Sequence, residues 1–316
     1  MMLARVADSL YWIGRYIERA EHLSRLSDVM LQATLDQSEA AAQAVHVALA
    51  AVGEDDASLG DRTPFEAARD LVLNREDYGS VVVSLARARE NARQVRDQIT
   101  TETWERLNLV YLRVTDPDAD EEFAAGSSAF LHGIVADLHL FKGAADATMS
   151  HGEGWRFLLL GVYLERAQLI ARLLEIAFGE TARPSAGVDH LALVSILRMG
   201  CALEPYLRVY TADIQPRHIL EFLLFDEEFP RSIRFATARI EEHLTMLTRR
   251  ADAAGRAAPE RLAGRLSARL EFADPEEVMA EGAGEILSAV VGECASIHEA
   301  IYSTFVAYPL EQRLPA

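Results

Sequence analysis

"SLYWIGRYIERAEHLSRL", Ser9 to Leu26, is the stretch on which the fold turns. Its apolar residues recur at three- and four-residue intervals, the period of an α-helix. At about 100° per residue, Leu10, Ile13, Ile17, Ala20 and Ser24 form one stripe and Trp12, Tyr16, Leu23 and Leu26 another. Between them runs one narrow polar seam, Arg15, Glu18, His22 and Arg25. A helix apolar on nearly every side is a buried helix. Burying an unpaired charge costs several kcal/mol, so Glu18 and Arg19 must find partners in the interior.

The partners are suggested by a second copy. "GRYIERAEHLSRL" (Gly14 to Leu26) aligns without a gap on "GVYLERAQLIARL" (Gly161 to Leu173) at an offset of 147 residues, so that Glu165, Arg166 and Arg172 repeat Glu18, Arg19 and Arg25. A weaker echo sets "NREDYGSVVVSLAR" (Asn74 to Arg87) against "DEEFPRSIRFATAR" (Asp226 to Arg239) at an offset of 152. Two landmarks in one order at similar spacing suggest an internal duplication. The chain then reads as a single domain, 1–316, whose halves, about 1–120 and 150–307, build a pseudo-twofold multi-helix bundle. The two Glu-Arg motifs are expected to face each other. Glu18 has Arg15 and Arg25 on its own helix and Arg166 and Arg172 across the repeat as prospective partners. Such a core either fixes helix register as a buried ion-pair lattice or floors a cleft where carboxylates and guanidiniums bind a polar ligand. Sequence alone leaves both open.

The rest of the chain is all-α by the same criterion. Pro, Gly and Asp-rich breakers divide it, and periodicity predicts helices near 3–50, 64–73, 77–114, 120–148, 154–178, 188–212, 216–225, 230–252, 259–271 and 276–307. "VVVSL" (Val81 to Leu85) has strand composition, but the helical register of the residues after it assigns the whole run to helix.

Bulk properties exclude several classes. The 49 acidic residues outweigh 31 basic ones, a formal charge of −18 that disfavours nucleic acid and anionic lipid. The N-terminus has charges in its first apolar turns and no small-residue cleavage site, and no segment reaches the roughly 18 uninterrupted apolar residues of a membrane span. Two cysteines, Cys201 and Cys294, make no disulfide framework. A cytoplasmic protein without membrane or nucleic-acid partners is expected.

Secondary candidates lie outside the motifs. "RARENARQVRD" sets Glu90 and Arg93 one turn apart, and "TETWERLN" follows with Trp104; surface pairs account for most of this. In "DEEFPRSIRF", Pro230 is placed to begin a helix, with Arg231 and Ser232 beside free backbone donors that would serve as a cap or hold an anion. No Glu-x-x-His pair for a di-iron site, no zinc pattern, no nucleophile elbow and no phosphate loop is found. No metal or cofactor is expected.

Four ordered stretches carry a resemblance: "MLARVADSLYWIGRYIERAEHLSRL", "ARENARQVRDQITTETWERLN", "GWRFLLLGVYLERAQLIARLL" and "EFLLFDEEFPRSIRF". Together they resemble the bacterial alpha-E family, named for its helical content and its Glu-Arg motif, over essentially the whole chain. One departure is the absence of a Pro ahead of Ser80 in "NREDYGS", which bears on that cap. The resemblance implies a gene neighbour or fusion partner, a circularly permuted ATP-grasp protein that forms amide bonds by activating a carboxylate, often with a transglutaminase-like protease and sometimes a proteasome-like peptidase. It implies a helical, substrate-presenting component of a peptide-synthesis or modification system. It carries no catalytic residues. The rival readings are an enzyme in its own right, with Glu18 or Glu165 as general base, and a purely architectural scaffold.

Overall fold

Twenty of the 30 residues of α1 (Ala4–Ala33) are buried, as its apolar girth requires. In the computed structural model, which describes residues 2–33, 38–54, 62–178, 190–248 and 257–307, every regular element is helical. After α1 come α2 (Glu39–Ala51), α3 (Pro64–Leu73), α4 (Val81–Gln94), α5 (Thr101–Thr115) and α6 (Ala119–Thr148). The second half holds α7 (Glu153–Phe178), α8 (His190–Met199), α9 (Leu203–Tyr210), α10 (Pro216–Phe225), α11 (Ile233–Thr248), α12 (Ala257–Glu271), α13 (Pro275–Glu281) and α14 (Gly284–Ile301). A π-helical turn, Tyr302–Val306, follows.

Four long helices expected from periodicity are broken. A new helix begins at α2, capped by the Ser38 side chain, while residues 34–37 lie outside the described segments. The 77–114 run divides at Thr100, whose hydroxyl accepts from the Thr103 amide at 3.2 Å. Cys201 at φ 53° separates α8 from α9, and Gly282 at φ 105° separates α13 from α14. Apolar spacing continues through a one-turn interruption, so caps and left-handed residues set these boundaries. Elsewhere the local chemistry is direct. Pro64 opens α3 behind a capping box in which the Thr63 and Glu66 side chains each accept from the other's backbone amide. Asp274 caps α13, which Pro275 begins.

The bundle is organised around the crossing of α1 on α7. A Cβ built on Gly14 would stand 2.0 Å from the carbonyl oxygen of Leu158, and one on Gly161 would stand 2.0 Å from that of Tyr11. Only glycine at both positions lets the backbones touch. Around this crossing α4, α6, α3 and α2 pack on α1, while α11 and α14 pack on α7. One continuous apolar core runs from Ala7 to Ile301.

The turns of the weaker echo are built alike. Asn74 and Asp226 each close a helix; the Glu76 and Glu228 amides donate to their side chains, both at 3.0 Å. Ser80 and Ser232, fully buried, donate their hydroxyls back to the Asn74 and Asp226 carbonyls. Their oxygens then accept from the amides of Val83 and Phe235, three residues on. The cap at Ser80 forms without the missing proline.

Candidate functional site

The α1–α7 crossing carries the Glu-Arg motifs into register. Arg166 donates from Nε and Nη2 to the two carboxylate oxygens of Glu18, at 2.8 and 2.9 Å, and Arg19 donates from Nε to Glu165 at 2.7 Å. Each glutamate thus takes the arginine of the other motif. The two ends of this reciprocal arrangement then differ.

At the Glu18 end every acceptor is occupied. Lys142 of α6 reaches both Glu18 and Glu21, the latter at 2.6 Å. Arg231, from the turn before α11, donates to Glu21 and lies 3.3 Å from Glu18. Arg25 donates to Glu21 at 2.8 Å, His139 is 3.2 Å from the same oxygen, and Arg166 also donates to the Pro230 carbonyl at 2.9 Å. Both carboxylates are buried, Glu18 at 1 % exposure and Glu21 at 0 %. Burial acts to raise the Glu18 carboxyl, but Arg166, then Lys142 and Arg231, outweigh it and hold the group far below the usual range. Glu21 is held down likewise against burial, by Lys142, Arg231, His139 and Arg25. Carboxylates this acidic and this enclosed are poor general bases. His22, also buried, has no partner at Nε2; burial and then Arg231 lower it to about 4, so it is neutral.

At the Glu165 end the lattice opens. Arg15 donates to Glu165 at 2.5 Å, to Gln168 at 3.0 Å and to the Tyr11 hydroxyl at 3.2 Å; Tyr11 meets His298 Nδ1 at 2.8 Å. Burial, partly countered by Arg15, lifts the Tyr11 hydroxyl to about 12. Arg15, Arg19, Glu165, Gln168 and Arg172 then border a cavity of about 320 Å³ closed on its other side by the end of α2 and by Asp77 and Gly79.

Several sequence expectations are revised by this geometry. Of the four arginines offered to Glu18, only Arg166 takes it up; Arg25 pairs one turn on with Glu21, Arg15 crosses to Glu165, and Arg172 is exposed and unpaired among the described residues. Arg231 is not an anion site beside free donors, because its guanidinium turns inward to two buried glutamates while Ser232 caps the helix. Glu90 and Arg93 form an exposed pair at 2.7 Å. Trp104, half-buried, lies beneath the guanidiniums of Arg89 and Arg96.

Glu21 and Lys142 escaped the sequence reading. Glu21 falls one turn from Glu18 on the buried helix and needed only to be counted with it. Lys142 has the stronger signal, being the single lysine among 31 basic residues. Where every other cation is arginine, one lysine marks a site that a planar fork does not fit.

A bundle of this kind, closed around reciprocal Glu-Arg pairs, matches a described class. The chain belongs to the Alpha-E family, "a predicted alpha-helical domain with a conserved ER motif", over residues 2–306. It is 27 % identical over 342 aligned positions to uncharacterized proteins of Mycobacterium bovis and Mycobacterium tuberculosis, which cover 96 % of this chain. The chain spans 37 % of the length of those relatives. No solved structure matches it. Among the described residues no helix is long and apolar enough to cross a membrane.

Proposed function

We propose that this chain is the helical, non-hydrolytic partner of a circularly permuted ATP-grasp amide ligase, and that it holds a polar substrate in the cavity beside Glu165. The observation that carries the reading is the inequality of the two motif ends. The two carboxylates are equally buried, Glu18 at 1 % exposure and Glu165 at 2 %, but the cations differ: those around Glu18 are spent on buried carboxylates, whereas beside Glu165 the partly exposed Arg19 and the unpaired Arg172 border a cavity. The ATP-grasp context is what the resemblance of the four sequence stretches implies, and it is part of the proposal. Relatives that extend well beyond the matched part are in keeping with a unit working beside another. A transglutaminase-like protease is a second prospective partner. The free thiols of Cys201 and Cys294 favour the cytoplasm. The reciprocal motifs and twin Ser-capped turns favour descent of the two halves from one duplicated unit.

The architectural reading applies to the Glu18 end, where four cations saturate two buried carboxylates. The test is co-purification with the genomic neighbour of ATP-grasp type, followed by mass spectrometry of the ATP-dependent product. Stable complex formation, with product lost on omission of this chain, is expected. Turnover of substrate by this chain alone, without the ATP-grasp protein, would replace the proposal with an enzyme of its own.

A further inference from the structure

The cavity beside Glu165 is polarised, and its polarity specifies a ligand. On the α1 and α7 side stand unused donors. Arg19 spends only Nε on Glu165, which leaves its two terminal nitrogens without an acceptor among the described residues, and Arg172 has no partner there at all. Gln168 receives Arg15 at its oxygen and keeps its amide N–H groups. On the opposite side stand unused acceptors. Asp77 spends one carboxylate oxygen on the Gly79 amide at 2.8 Å and keeps the other. Ala51, Val52 and Gly53 bring the C-terminal end of α2, where the helix dipole favours a cation. Leu23, Leu71 and Leu169 line the space between.

The Glu18 end explains why this space exists. The Ser80 and Ser232 turns share their hydrogen bonds, so Gly79 holds the place that Arg231 holds in the other turn. Gln168 likewise holds, on α7, the place of Glu21 on α1. Where Arg231 plugs the first end against Glu21, the second offers no side chain at 79 and a neutral amide at 168. The cation of Arg231 and the anion of Glu21 thus have no counterpart at 79 and 168; Glu54, which also lines the cavity, is engaged by Arg62 at 2.9 Å, and a ligand bearing both charges would supply the missing pair.

We infer that this cavity binds a small zwitterion, an α-amino acid or short peptide, with its carboxylate on Arg19 and Arg172 and its ammonium against Asp77 and the end of α2. A volume near 320 Å³ stands at the lower limit of ligand pockets, about 300 Å³, which suits a ligand of that size. This names the substrate class of the site proposed above and rests on that reading for its place in a reaction, but its binding test does not need the ATP-grasp partner.

Calorimetric titration of the full chain with L-alanine and L-alanyl-L-alanine tests it. Saturable binding of at least one probe is expected, weakened about tenfold or more when that probe is N-acetylated or C-amidated. Arg172→Gln and Asp77→Asn, both at accessible side chains, should weaken the same probe by similar factors with unchanged melting temperature. Gly79→Arg, which restores the plug of the other end, should abolish binding while the chain still folds. Absence of binding by both probes, or equal binding of the blocked forms, overturns the zwitterion assignment. A chain that binds the probes but never co-purifies with the ligase would overturn the partner reading alone.

Discussion

Arg166 grips Glu18 with two parallel hydrogen bonds, Nε to Oε1 at 2.8 Å and Nη2 to Oε2 at 2.9 Å, across two helices whose residues lie 148 positions apart. This forked geometry is the strongest form of charge pairing available to side chains. It is possible here because Gly14 and Gly161 let the two backbones meet, so the ion pair and the crossing are one structural element.

The crossing makes a prediction whose sign opposes intrinsic propensity. Ala is favoured over Gly within a helix by about 1 kcal/mol. Gly14→Ala or Gly161→Ala nevertheless places a methyl 2.0 Å from a backbone carbonyl that has nowhere to go. Each should destabilise the chain by about 4 kcal/mol or more. Urea unfolding followed by circular dichroism measures this; a variant as stable as wild type would mean that the helices cross elsewhere.

Removing one member of the buried lattice strands the others. Glu18→Gln leaves Arg166, Lys142 and Arg231 facing a neutral amide in a dry interior, at an expected cost of about 3–5 kcal/mol. Because Glu18 is absent from the lining of the Glu165 cavity, the variant should retain probe binding below its lowered melting temperature. Loss of binding in the still-folded variant would show that the two ends are coupled.

Lys142→Arg is predicted to be non-conservative. The lysine ammonium is a compact charge with three donors and sits between Glu18 and Glu21, a position that a planar guanidinium enters only by displacing Arg231 or Arg25. The melting temperature should fall for Lys142→Arg and for Lys142→Met alike. Full stability of the arginine variant would mean that charge alone is required.

The pH dependence should fall in two stages. His22 and His243 are both lowered from 6.5 to about 4, chiefly by burial, so the unfolded chain binds protons that the folded chain refuses. Their contribution is complete above pH 6.5 and lost as pH falls toward 4, with a limiting slope of about 1.4 kcal/mol per pH unit for each. Glu18 and Glu21, also depressed, contribute fully above 4.5 and lose their share only below it. Unfolding free energies across this range provide the test, and His22→Gln should reduce the upper stage by about half, leaving the share of His243.

Helical class, the buried α1, the pairing of the two Glu-Arg motifs and the echo between the two serine turns were all readable in the chain. They are local or periodic signals. A helix apolar on all sides must be central, and two such helices bearing the same charges can relieve them only against each other. The breaks at Thr100, Cys201 and Gly282 were hidden because apolar spacing runs on through a single irregular turn.

What the sequence determined by itself was that Glu18 and Glu165 would be buried and paired. Which cation each would take, and that one end would close while the other stayed open, was decided only in three dimensions. Lys142 and Arg231 arrive from distant segments to fill the Glu18 end, and Gly79 and Gln168 arrive at the other and leave it unfilled. Helical periodicity places residues on a face of one helix, whereas the charge balance of a buried site depends on every segment that reaches it.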